Sequence, residues 1–139
     1  MAAQLNHTIV WCHDKQKSSA FLAEILGLPA PRPFYHFMVV SLDNGVSLDF
    51  MEKTGDVALQ HYAFLISEPE FDAAFARISE KGLPYWADPQ RSQPGEINRN
   101  DGGRGCYFED PNGHVLEILT RPYGSGGDAR NIFPPVMPT

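Results

Sequence analysis

Residues 105–117 read GCYFEDPNGHVLE and predict a β-hairpin that carries a carboxylate near the end of its second strand. Two largely apolar runs flank the Asp-Pro-Asn-Gly sequence at 110–113, and Pro and Asn-Gly are residues that turns select. The last six residues, NGHVLE, resemble NGVSLD at 44–49, which lies 68 positions earlier. The hairpin therefore points to a unit that occurs twice in the chain.

Two further matches support this duplication. Residues 5–7 (LNH) recur as 59–61 (LQH), and residues 27–29 (GLP) recur as 82–84. The three matches follow one another in the same order, and the change in spacing places an insertion of about 13 residues between the second and the third. We therefore expect two related modules, at about 5–53 and 59–121.

Each module predicts a strand, a helix and then two or three antiparallel strands. In the first, a strand at 5–12 precedes a helix that begins after Asp14 and ends at Gly27, and strands at 34–42 and 46–52 follow. In the second, a strand at 59–66 precedes a helix that opens with the capping box Ser67-Glu68-Pro69-Glu70 and ends at Gly82. A short strand at 85–87 and the hairpin of 105–121 complete it. The fold class is therefore α+β.

One module of about 50 residues buries too little surface to be stable alone, so we expect both to share a single domain, residues 1–121. Residues 122–139 are rich in Pro and Gly. They predict an irregular tail, to which the sequence assigns no chemistry.

Composition restricts the partners. The 139 residues include 17 acidic and 11 basic side chains, a net charge of -6, so nucleic acid and anionic membrane surfaces are not expected partners. Apolar runs reach only four or five residues, against the ~20 of a membrane span, and no secretory signal is visible. Two cysteines, 94 positions apart, predict free thiols. These features favour a cytoplasmic protein that binds a small molecule.

The duplication sets His7 equivalent to His61 and Asp49 equivalent to Glu117. Imidazole and carboxylate without thiolate form the ligand set of one divalent ion such as Fe(II), Mn, Ni, Co or Zn. An ionised Glu117 within Val-Leu-Glu-Ile-Leu costs several kcal/mol if it is buried without a partner, and a metal removes that cost. The alternative is that both histidines are hydrogen-bonded core residues.

The sequence resembles the vicinal oxygen chelate superfamily, from about Leu5 to Tyr123. Residues 105–117 look like the YF-x-DP-x-G-x-x-x-E hairpin of that superfamily, and residues 5–7 and 60–64 look like its first strands. The resemblance implies two paired βαβββ modules, the fold shared by glyoxalase, bleomycin resistance proteins and dihydroxybiphenyl dioxygenase.

The same resemblance implies a metal site. His7, His61 and Glu117 match a two-histidine, one-carboxylate triad, and Asp49 matches the position of a fourth ligand in glyoxalase I. Tyr107, ten residues before Glu117, matches a tyrosine that reaches the substrate. A homodimer is also implied, with the site either within one chain or shared between two.

We therefore expect an enzyme with one divalent metal, Fe(II) being favoured, that acts on a small oxygen-rich substrate. An extradiol-type ring-cleavage dioxygenase is the first expectation. A glyoxalase I-like lyase or isomerase and a non-catalytic drug-binding protein are the alternatives. A fosfomycin thiol transferase is disfavoured, because the tail after Glu117 is rich in Pro and Gly and the segment 88–104 is long.

The insertion, residues 88–104, predicts a lid or substrate loop, since long loops in compact domains are often functional. Arg99 and Arg104 are the expected substrate-binding residues there, because a guanidinium group binds anionic or oxygen-rich ligands in two-point fashion.

Overall fold

The computed structural model describes residues 2–126, in which eight strands and two α-helices alternate in two similar series. The first series is β1 (His7–Cys12), α1 (Lys15–Leu26), β2 (Arg32–Phe34), β3 (Phe37–Ser41) and β4 (Ser47–Glu52). The second is β5 (His61–Leu65), α2 (Glu68–Glu80), β6 (Tyr85–Trp86), β7 (Gly105–Glu109) and β8 (Val115–Leu119), with a 3-10 turn at Asn100–Gly102 before β7. The predicted α+β class and the βαβββ order are confirmed.

The chain separates into two compact units. Within the described residues, the first contains residues 2–59 together with Asp110–Gly113, and the second contains Gln60–Glu109 and residues 114–126. The division falls near the predicted junction of the two modules. The assignment of both modules to one domain stays a prediction.

Each unit holds one four-stranded sheet, and the two sheets have the same topology. The strand orders are β1-β4-β3-β2 and β5-β8-β7-β6. In each sheet the first strand runs parallel to the last strand of its series, and the other pairs are antiparallel. The repeat seen in the sequence is thus a repeat of strand pairing as well.

One face of the first sheet packs against α1. The helix begins at Asp14, whose side chain accepts a hydrogen bond from the Lys17 N–H, and ends at Gly27, which has a φ of 67°. Glycine adopts this left-handed conformation at the end of a helix with the least strain, because it has no Cβ. The buried apolar residues of the helix and sheet are Val10, Cys12, Leu22, Ala23, Ile25, Met38, Val39, Val40, Leu48 and Phe50.

The second helix, α2, has the capping box that the sequence predicts. Ser67 Oγ accepts from the Glu70 N–H at 3.2 Å, and Glu70 Oε1 accepts from the Ser67 N–H at 3.0 Å. Phe71, Ala74 and Ile78 lie buried on one side of the helix. The buried apolar residues of the second sheet are Phe64, Cys106, Tyr107, Phe108, Leu116 and Ile118.

Replacing Ser67 with alanine is expected to lower the free energy of unfolding by about 1 kcal/mol, because the Glu70 N–H loses its acceptor at the start of α2. Urea denaturation of the metal-free protein measures this. Ser79→Ala is the matched control, since Ser79 is exposed in the last turn of the same helix. An equal loss in both variants would contradict the capping role.

The strand predicted at 34–42 is wrong in its first part. Tyr35 adopts a left-handed φ of 56°, and the chain turns there between β2 and β3. Phe34 pairs with Phe37 across this turn. The sequence did not indicate this break, because residues 34–37 contain neither glycine nor proline.

The insertion, which the sequence predicts to be a lid or substrate loop, is a packed loop with buried polar residues. Asp88, Asn98, Asn100 and Asp101 are all buried. Asn98 exchanges two backbone hydrogen bonds with Gly105, at 2.9 and 3.1 Å, and its side-chain amide donates to the Ala87 carbonyl at 2.9 Å. Short polar side chains therefore satisfy the loop backbone in place of a regular sheet.

Asp88 organises the start of this loop. Its carboxylate accepts hydrogen bonds from the Ser92 N–H, the Ser92 hydroxyl and the Gln93 N–H. Burial by itself would raise the pKa of Asp88, but these bonds from Ser92 and Gln93 outweigh it and hold the pKa below its ordinary value.

Among the described residues, neither helix is long and apolar enough to cross a membrane.

Candidate metal centre

His61 and Glu117 lie side by side on the face of the second sheet. In the parallel pairing of β5 with β8, His61 is opposite Val115, and Glu117 is two residues further along β8. A shift of two residues returns to the same face of a sheet. His61 Nε2 is 3.1 Å from Glu117 Oε1, with Glu117 only 1% exposed and the His61 side chain 48% exposed.

The second nitrogen of His61 settles the orientation of its ring. Nδ1 is 2.9 Å from the Val115 carbonyl oxygen, which can only accept a hydrogen bond, so Nδ1 carries a proton. In a neutral imidazole, Nε2 then presents a lone pair to the carboxylate. Two acceptors at 3.1 Å need a proton or a cation between them.

A divalent ion fits this arrangement. Histidine ligands commonly donate their other ring N–H to a carbonyl or carboxylate, which fixes the tautomer. Neighbouring ligands bound at about 2.1 Å from one ion are roughly 3 Å apart, close to the observed separation of Nε2 from Oε1. His61 and Glu117 can therefore hold a metal through Nε2 and Oε1.

His7 has a matching environment in the first unit. It lies opposite Ser47, and Asp49 is two residues further along β4. His7 Nδ1 is 2.7 Å from the amide oxygen of Asn6, so this ring too has one nitrogen engaged and Nε2 left for a ligand. Asp49 is 9% exposed and accepts a hydrogen bond from the Ser47 hydroxyl at 2.9 Å.

His7 and Asp49 line a cavity of about 550 Å³, which we call the β1–β4 cavity. Arg32, Phe34 and Phe37 line it too. Arg32 pairs with Val39, which pairs in turn with Asp49, so these three residues form one row across the sheet. The Arg32 side chain has no hydrogen-bond or ion-pair partner among residues 2–126. The sequence analysis did not select Arg32, because no motif surrounds it.

The structure therefore brings the predicted ligands together in pairs. His61 and Glu117 meet in the second unit, while His7 lies near Asp49 in the first. Among the described residues, no three His, Cys, Asp or Glu side chains are grouped closely enough to hold a metal ion. The full triad stays a prediction.

Tyr107 faces the same side of the second sheet as Glu117, since the two residues are directly opposite each other in the pairing of β7 with β8. Its ring is stacked with that of His61 at 5.8 Å between centroids. Its hydroxyl is 2.8 Å from the Tyr123 hydroxyl, and Tyr123 in turn contacts Glu117 Oε2. The sequence does not show on which face of the sheet Tyr107 lies, because a turn separates it from Glu117. The register of β7 with β8 places both residues on the same face.

Tyr123 is a functional candidate that sequence reasoning missed, because it belongs to the tail to which no chemistry was assigned. Burial raises the pKa of both Tyr107 and Tyr123 above the ordinary value, and the negative charge of Glu117 raises each further. Both phenols are therefore protonated near neutral pH. Residues 127–139 of the predicted tail lie outside the described residues.

Arg104 is engaged elsewhere. Its Nε donates to Glu68 at 2.8 Å, another guanidinium nitrogen is 2.9 Å from Asp72, and the group lies over the Phe71 ring at 4.5 Å. These contacts tie the loop to α2 and occupy the guanidinium group of Arg104 with two carboxylates, so its role in substrate binding stays a prediction. Arg99 is exposed, and its carbonyl accepts a hydrogen bond from the Gly102 N–H at 3.2 Å; its role in substrate binding stays a prediction.

The remaining histidines have structural contacts. His114 is fully buried, accepts the Gln60 N–H on Nδ1 and meets the Tyr62 ring edge-on. His13 Nε2 is 2.8 Å from the Gly55 carbonyl oxygen. His36 is exposed, and its ring is stacked with that of Tyr35.

The model of the glyoxalase/bleomycin resistance protein/dioxygenase superfamily matches residues 4–118. The chain belongs to this superfamily. The matched residues span both series of strands as far as residue 118 and include the three predicted metal ligands, His7, His61 and Glu117.

Three relatives show which members of the superfamily are similar to this chain. The solved structure of "Oxidase ChaP-H2" is 63% identical, covers 91% of this chain and 100% of its own, and has a TM-score of 0.89. "Glutathione transferase FosA" of Serratia marcescens is 31% identical over 85% of this chain and 81% of its own. "Metallothiol transferase FosB" of Lysinibacillus sphaericus (strain C3-41) is 25% identical over 84% of this chain and 81% of its own.

Proposed function

We propose that this chain is a metal-dependent oxidase that uses dioxygen to oxidise a small oxygen-rich substrate. The observation that carries the proposal is the pair of His61 Nε2 and Glu117 Oε1, 3.1 Å apart, with the other nitrogen of His61 held by a backbone carbonyl. Similarity to ChaP-H2 over nearly the whole chain favours an oxidase, and the name metallothiol transferase indicates a metal in the FosB relative.

The proposed ligands are His7, His61 and Glu117, with Asp49 as an additional oxygen donor. Two histidines and one carboxylate form the ligand set typical of non-haem Fe(II), and Mn(II) is the second choice. When bound, the ion would supply Lewis acidity toward vicinal oxygens and one-electron chemistry with dioxygen.

The other residues would bind and orient the substrate. Arg32 lies in the β1–β4 cavity beside two phenylalanine rings, so it would pair with an anionic oxygen while the rings contact a planar apolar part. The cavity volume is in the range of pockets for drug-sized ligands. The Tyr107 ring is stacked with that of His61, and its hydroxyl oxygen would accept a hydrogen bond from a substrate hydroxyl. A hydroxylated aromatic compound fits these groups.

The first experiment measures metal content and oxygen uptake on the same protein. We expect one iron per chain after anaerobic loading with Fe(II). We also expect oxygen uptake with at least one of a series of dihydroxyarenes, from catechol to fused-ring compounds, above that of free Fe(II) at the same concentration. Absence of stoichiometric metal, or of any uptake by the loaded protein, would overturn the oxidase proposal.

The product separates the narrower alternatives. A yellow ring-opened product would establish the extradiol reaction, and oxidation without ring opening would establish a different oxidase.

A second candidate function is thiol transfer, which the 31% identity to FosA favours. Glutathione consumption with fosfomycin and Mn(II) tests it, and isomerisation of the methylglyoxal hemithioacetal tests the glyoxalase alternative. Ligand binding by a metal-free protein would favour the drug-binding alternative.

A further inference from the structure

The two carboxylate oxygens of Glu117 have different partners. Oε1 is 3.1 Å from His61 Nε2, and Oε2 accepts a hydrogen bond from the Tyr123 hydroxyl. Since Glu117 is 1% exposed, water does not substitute for these partners. The carboxylate is thereby held in one rotational position, with a single oxygen toward His61.

The direction of each hydrogen bond in this chain of groups follows from the donors available. An ionised carboxylate only accepts, so the single proton of the Tyr123 hydroxyl goes to Glu117. The Tyr123 oxygen can then only accept from Tyr107, 2.8 Å away. Tyr107 therefore donates its proton to Tyr123, and its oxygen keeps a lone pair that can accept a hydrogen bond.

We infer that Tyr123 is a positioning residue of the proposed metal centre. It keeps Glu117 a one-oxygen ligand, which leaves a coordination position open for substrate, and it orients the hydroxyl of Tyr107 as an acceptor of a substrate O–H. The inference rests on the proposed function, because it concerns a ligand of the same site. It gives Tyr107 a more specific role than the sequence did.

The insertion holds Tyr123 in place. Tyr123 follows the end of β8, and the Asp101 carboxylate accepts hydrogen bonds from the backbone N–H groups of Gly124, at 3.2 Å, and Gly126, at 3.0 Å. Asp101 is 1% exposed. A Cβ at Gly126 would lie 1.8 Å from the Asp101 carbonyl oxygen, so only glycine allows this approach. The loop at 88–104 thus anchors the segment that carries Tyr123.

The test compares Mn(II) binding by the wild-type protein and by Tyr123→Phe, which removes only the hydroxyl. We expect the affinity to fall about 10- to 100-fold, the loss typical of removing a group that orients a metal ligand. Electron paramagnetic resonance of free Mn(II) during titration measures it. Tyr85→Phe is the matched control, because Tyr85 contacts the Phe75 ring in another part of the second unit. Its affinity should stay within about twofold of the wild-type value.

Co(II) absorption supplies a readout that a general loss of stability would not reproduce. Freed from Tyr123, Glu117 can bind through both oxygens, so the coordination number rises and the visible absorption of bound Co(II) weakens in Tyr123→Phe. The control should keep the wild-type spectrum. Equal Mn(II) affinity and equal Co(II) spectra in wild type and Tyr123→Phe would overturn the inference while leaving the proposed function intact.

A second variant tests the same inference in case Tyr123→Phe does not fold. Asp101→Asn weakens the anchor of residues 124–126, so it should also lower Mn(II) affinity. In the Tyr123→Phe background it should lower affinity no further, because both changes act through the same hydroxyl. Fully additive losses would contradict the inference. Failure of the wild-type protein to bind any metal would overturn the proposed function, and the inference with it.

Discussion

Changing His61 to alanine is expected to reduce bound metal from one ion per chain to less than about a tenth of that, and to abolish oxygen uptake. Loss of a group that merely orients a ligand weakens metal binding about 10- to 100-fold, so loss of the ligand itself should cost more than about 100-fold. Elemental analysis after gel filtration measures the bound metal.

His36→Ala is the matched control for this change. His36 is exposed, its ring is stacked with that of Tyr35, and it is not one of the proposed ligands. The control should retain its full metal content. Retention of one ion per chain by His61→Ala would show that the site lies elsewhere.

Mixing two inactive variants distinguishes a site within one chain from a site shared by two. If His7 of one chain joins His61 and Glu117 of another, a heterodimer of His7→Ala and His61→Ala chains has one intact site and one site lacking both histidines. Random exchange then restores about a quarter of all sites, on the pairing expected for a symmetric dimer. If all three ligands come from one chain, mixing restores none.

Changing Phe108 to alanine is expected to lower the free energy of unfolding by about 3–5 kcal/mol. Phe108 is completely buried and pairs with Leu116 on the sheet face opposite to Tyr107 and Glu117. The cavity left behind would loosen the strands that carry the site. A drop in Tm of at least about 10 °C is expected for a chain of this size. Calorimetry or urea denaturation of the metal-free protein measures it.

Phe34→Ala is the matched control, since Phe34 is 65% exposed on β2. Its stability should change by less than about 0.5 kcal/mol. Similar losses in the two variants would mean that burial does not set the contribution of these phenylalanines.

The features that the sequence predicted correctly depend on local interactions. Asp14 and Ser67 cap helices by bonding to backbone groups three residues away, and Gly27 ends a helix through its own φ. Such signals are readable because they involve few residues close together in the chain. The pair of His61 and Glu117 is different, because these residues are 56 positions apart and lie beside each other only once β5 and β8 pair in parallel.

The features that the sequence did not reveal depend on contacts between distant segments. The sequence proposed Arg104 as a substrate-binding residue, and only the fold places two carboxylates of α2 beside it. The insertion was expected to be a lid or substrate loop, and its short polar side chains bond to its own backbone and to β7. In neither case does the loop sequence reveal which neighbours will occupy its polar groups.

The sequence by itself determined the α+β modules and their duplication, because these follow from periodicity, capping and repeated motifs. The duplication also picked out the histidine and carboxylate candidates, and the motif at 105–117 supplied the resemblance to the superfamily. Only the tertiary structure decided that Tyr107 faces Glu117, that Arg32 lines the β1–β4 cavity, and that Tyr123 binds the second oxygen of Glu117. The physical reason is that a hydrogen bond to a buried carboxylate depends on strand register and on an anchor such as Asp101, which brings its donor from beyond the last strand.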